Sequence, residues 1–158
     1  MALKADRIET QTDVSFFMDE TATRGVICTV SSGGSGVSMD DANAKVTARN
    51  AAASGSKVVG VLLNDVVNLD LTRQHINFHQ DEVQKGSKVT LLQIGQVTTN
   101  NISGTPAAGD PAYLGVSGVF SNAAVDDNTG KEKSYYRVGR FLSGKDQSDY
   151  AKVAINIA

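Results

Sequence analysis

Tryptophan is missing from this chain of 158 residues, cysteine occurs once, proline and histidine twice each, and aromatic residues make up only 6%. Each shortage closes a route. So few rings leave little on which bases or sugars could stack. A net charge of −2 provides no basic field for DNA or RNA,. The lone Cys28 cannot form an intramolecular disulfide, so folding does not depend on an oxidising compartment,. Within Gly25-Val26-Ile27-Cys28-Thr29-Val30 it reads as a small buried hydrophobe,, with no neighbour suited to making it reactive. No apolar run approaches the ~20 residues of a membrane helix, and the opening MALKADR lacks the apolar stretch of a secretion signal,. These features predict a protein kept in a cytoplasm-like space, or in a particle assembled there, with no membrane or nucleic-acid partner.

What is present is β-type sequence cut by turns. Apolar residues are 41% of the chain, enough for a real core,. Residues 25–30 predict a strand, and the Ser/Gly-rich residues 31–36 a loop,. Residues 40–54 fit either an Ala-rich helix begun by Asp40 and Asp41 or a strand alternating through 44–49,; the surrounding β pattern favours the strand. The continuous apolar run 58–63 suits a strand buried on both faces,. A strand is predicted over 66–78 and the longest over 88–99, where Gly95 marks a bulge or a close backbone approach,. Ser117-Gly118 reads as a hairpin tip,. Residues 126–133 read as a solvated loop, and 135–142 as the partner of a last strand in which Ala151, Val153, Ile155 and Ile157 alternate with polar or small residues,.

Residues 1–24 differ from the rest. They scatter Leu3, Ile8, Phe16, Phe17 and Met18 among polar neighbours with neither a helical nor a strand period,. This predicts an extended N-terminal arm over 1–24 and a single β domain over 25–158. A terminus folded back onto its own domain is the alternative, because adjacent phenylalanines seek burial.

Catalytic patterns are weak. Gly139-Arg140-Phe141-Leu142-Ser143-Gly144-Lys145-Asp146 approaches the phosphate-binding loop, but Asp146 replaces the hydroxyl that would hold Mg²⁺, and a strand follows where a helix is needed,. It reads as a hairpin turn. His75 and His79 share a face on a helix or a strand, but Ile76 stands where a zinc hydrolase places its general base, and no third ligand is specified,. Asp126-Asp127-Asn128-Thr129-Gly130 hints at a calcium loop, but Arg137 occupies the place of the closing Glu,. No catalytic, cofactor or metal residues are predicted.

Several blocks resemble tailed-bacteriophage capsid decoration, or cement, proteins. They include ADRIE at 5–9, DVSFFM at 13–18, VGVLLNDV at 59–66, LDLTRQHIN at 69–77, GSKVT at 86–90 and GTPAAGDPAYL at 104–114. The resemblance runs through most of the chain and is weakest over 31–54 and 121–134. It implies a small all-β module, barrel-like or tulip-like, without catalytic residues or cofactor. The module would bind the outer surface of an icosahedral phage head and stabilise the expanded shell. The implied partners are the major capsid protein and neighbouring copies of the chain, a trimer ahead of a dimer. The alternative function is a tail or receptor-binding β module for a small molecule or glycan. On the decoration reading, Leu3, Ile8, Phe16, Phe17 and Met18 become the candidate capsid or inter-subunit contacts.

Overall fold

Valine, threonine and isoleucine dominate residues 89–99, and β-branched side chains suit a pleated, half-buried surface,. They form the longest strand and organise the others. The structure, a computed structural model, describes residues 3–34, 43–47, 57–65, 82–123 and 137–157. Within them lie thirteen strands: β1 (Ile8–Asp13), β2 (Phe17–Met18), β3 (Ala22–Thr23), β4 (Ile27–Gly33), β5 (Ala44–Thr47), β6 (Val58–Asp65), β7 (Glu82–Val83), β8 (Val89–Thr99), β9 (Ile102–Ser103), β10 (Pro111–Leu114), β11 (Phe120–Ser121), β12 (Arg137–Phe141) and β13 (Ala151–Asn156). Eleven belong to one sheet, while β3 and β7 pair separately. The fold is all-β, as expected, and 44–47 resolves as strand rather than helix. The predicted loop at 31–36 begins later than its composition implies, because β4 continues to Gly33 opposite Ala44 of β5. The predicted strand at 66–78, both histidines and the 126–133 loop lie outside the described residues.

Strands β4, β6 and β8 are buried on both faces. Alternation sends Ile27, Val61, Leu63 and Leu92 into one core with Leu114, Phe120, Val138, Phe141 and Val153,. It sends Cys28, Leu62 and Leu91 into a second core with Met18, Val46 and Val83. The C-terminal half of β8 pairs antiparallel with β13, from Thr99 opposite Ala151 to Ile94 opposite Asn156. From β13 the sheet continues through β12, β10 and β11 to β9.

The N-terminal segment, expected as an extended arm over 1–24, is paired with strands of 25–158 where it is described. Antiparallel contacts along β8 run from Leu3 opposite Thr99, through β1, to Phe17 opposite Lys88. β2 then pairs in parallel with β5. Pairing therefore returns to its start, passing from β8 through the N-terminal segment, β5, β4 and β6 back to β8. This circuit surrounds the second core. β1 escaped a periodic reading because its side chains, IETQTD, are exposed or half-buried throughout.

Gly95 permits this docking. A Cβ at that position would run into the carbonyl oxygen of Ile8. The expected close backbone approach is therefore the pairing of β1 with β8.

Candidate interaction surface

The five apolar N-terminal residues have three different fates. Leu3 is 4% exposed and joins the first core. Met18 is 1% exposed in the second, with Phe16 packed against it from the rim. Phe17 is half-buried, and the Lys88 ammonium sits 5.2 Å from its ring centroid, a cation–π distance. Ile8 is 55% exposed on β1. Of the five, only Ile8 is strongly exposed, while Leu3 and Met18 fasten the two ends of the segment to the domain. One further large apolar side chain among the described residues is strongly exposed: Val116, at 47%, beside the tip formed by Ser117 and Gly118.

Around Ile8 the surface is polar and internally paired. Arg7 Nε donates to Glu9 Oε1 at 2.5 Å, and Gln11 Nε2 donates to Gln93 Oε1 at 2.8 Å. Asp13 Oδ1 accepts from the backbone N–H of Ser15 at 2.8 Å, turning the chain from β1 towards β2.

The segments singled out for chemistry serve structure where they are described. Residues 142–150 turn between β12 and β13, as expected for a hairpin. Asp146 Oδ1 accepts from the backbone N–H groups of Ser148 and Tyr150 at 2.8 and 2.9 Å. These bonds, that from Tyr150 foremost, hold its carboxyl below the usual carboxylate range,. Lys145 Nζ donates to the Ile102 carbonyl at 3.4 Å, anchoring the same turn. Cys28 is wholly buried. Burial first, and the nearby negative charge of Glu20 second, push its thiol far above the ordinary cysteine value.

Sequence reasoning missed a pair of arginines. Arg137 and Arg140 are both exposed on β12 and line one cavity with Gly139, Ala154, Ile155 and Asn156. Strict strand alternation places residues three apart on opposite faces. The pairing of β12 with β10 slips between Gly139 and Arg137, leaving Val138 without a β10 partner. Such a bulge re-aims side chains. In the sequence, Gly139 is the one signal of this irregularity,.

Over residues 5–156 the sequence matches the family described as structural cement protein (E217 gp24/Pam3 gp6). The chain belongs to the phage structural cement proteins. No curated protein matches it. As a cement protein it is a non-enzymatic, capsid-stabilising component of the virion and associates with the capsid shell.

Proposed function

We propose that this cement protein binds the outer surface of an icosahedral head, contacting the major capsid protein and neighbouring copies of itself, and holds the expanded shell together. The family match across 5–156 carries this reading. The near-neutral charge and the doubly buried central strands support it, since a cement must keep its shape under load. Symmetric sites on a shell favour symmetric ligands, so a trimer on local threefold positions is the proposed state. Of the candidate contacts, Ile8 and the exposed edge of Phe17 are proposed to meet the shell or an adjacent copy. Leu3, Phe16 and Met18 are proposed to act indirectly, by holding β1 and β2 in place. Many modest contacts repeated around the head suffice through avidity.

Co-sedimentation with expanded and with immature heads tests the proposal. Binding to expanded heads, with density at threefold positions of the reconstructed particle, is the expected outcome. Failure to bind either form would remove the head-surface role and bring forward the tail-module alternative.

A further inference from the structure

Three features of β12 combine into a site. The slip in register puts Arg137 and Arg140 on the exposed side while Val138 and Phe141 remain in the core. Gly139 lies between the two arginines, opposite Ile155 of β13, and a Cβ there would run into the carbonyl oxygen of Ala154. The close approach of the two strands thus depends on glycine. Beside it is a cavity of about 320 Å³ whose described lining is Arg137, Gly139, Arg140, Ala154, Ile155 and Asn156, with no acidic residue.

Among the described residues the two guanidinium groups have few other partners. Of the described arginines, Arg7 is paired with Glu9, and Arg24 also has a partner. Arg137 gives only its Nε–H to the Gly139 carbonyl, at 3.2 Å. That bond fixes the plane of the group and leaves its terminal nitrogens available. Among the described residues Arg140 has neither a hydrogen-bond nor an ion-pair partner. Two guanidinium groups lining one hollow, that of Arg137 held by its bond to Gly139, on a chain of net charge −2, make a local field opposite in sign to the whole. Planar guanidinium matches a carboxylate bidentately, and two of them bind better than isolated point charges.

We infer that Arg137 and Arg140 form a carboxylate-binding cradle that receives acidic side chains of a capsid subunit. This rests on the shell-binding function proposed above and names the chemistry of the partner surface. A protein carboxylate is the committed occupant. A nucleic-acid phosphate fits the same forks, but the chain's overall charge and its scarcity of aromatic residues oppose it,.

The test is occupancy of expanded heads lacking this protein, measured by co-sedimentation over a series of salt concentrations. It compares the wild type with Arg137→Gln/Arg140→Gln, with Arg137→Glu/Arg140→Glu, and with the exposed pair Lys57→Glu/Lys85→Glu, which changes net charge as much as the arginine reversal. All four are checked for equal melting temperature. Both arginines are exposed, so the glutamine pair is expected to melt as wild type and provides the deciding comparison should the reversed pair fold poorly. The expected result is affinity about ten- to a hundredfold lower for the glutamine pair. The reversed pair is expected to bind more weakly still, the lysine control to bind as wild type, and the salt dependence to flatten in the arginine variants. Wild-type occupancy by the glutamine pair overturns the cradle while leaving shell binding intact. An equal loss in the lysine control assigns the effect to the overall field and also overturns it. Wild type that binds no heads overturns both readings.

Discussion

A single methyl group decides whether the N-terminal strand fits. At Gly95 a side chain would strike the Ile8 carbonyl oxygen, so Gly95→Ala is expected to lift β1 off β8 and cost about 1–3 kcal/mol, a typical overpacking penalty,. A lowered urea midpoint checks this, with hydrogen-exchange protection of β8 lost first. Cys28 makes a different prediction. Its raised pKa means that the stability of the buried neutral thiol is fully present below the unfolded cysteine value and is lost as pH rises beyond it,. The native thiol is therefore expected to resist a thiol reagent at pH near 8 and to react promptly in urea. Equal rates would place the thiol outside the core. Asp146 has the opposite sign. Its lowered pKa gives stability that is present above the unfolded carboxylate value and fades as pH falls through the folded one,. Asp146→Ala should flatten the acid limb of a stability–pH curve.

Residues 3–18 work as one element. They cover an edge of β8, close the circuit of pairing through β5 and place one apolar anchor in each core. Met18→Ala alone is expected to cost about 2–5 kcal/mol, as for other large-to-small core changes. Deleting 1–18 removes Leu3 as well and uncovers backbone groups along β8. The truncated chain is expected to lose its cooperative thermal transition by circular dichroism. A truncated chain that melts like the full one would show that the segment is dispensable to the fold. The same element shows the reach of sequence patterns. β13 was legible because one of its faces is fully buried, so its apolar residues alternate cleanly. β1 was not, because an exposed strand can hold its place through backbone hydrogen bonds with Ile, Glu, Thr and Gln along its length,.

At the scale of the molecule, two cores share three strands. Leu91 and Leu92 are neighbours in β8 yet belong to different cores. Loosening either core must therefore disturb the other through the same backbone. Val153→Ala in the first core and Val46→Ala in the second are both expected to shift a single unfolding transition, monitored by two probes that remain coincident. Two separated transitions in either variant would show that the cores unfold independently. This coupling suits a structural cement protein, whose task is to resist deformation.

Composition and local pattern determined the β class, the doubly buried strand at 58–63, the hairpin turn before the last strand and the burial of Cys28. These depend on neighbours in sequence: alternation, turn residues, and a thiol within an apolar run. Tertiary structure decided that residues 3–18 belong to the sheet, that Leu3 and Met18 serve different cores, and that Arg137 and Arg140 line one hollow. Each depends on a partner strand distant in sequence. The Ile8 carbonyl meets Gly95 across β8, and the register slip against β10 reverses the side that alternation assigns to an arginine. A chain read in order contains the residues for such contacts but not the register that brings them together.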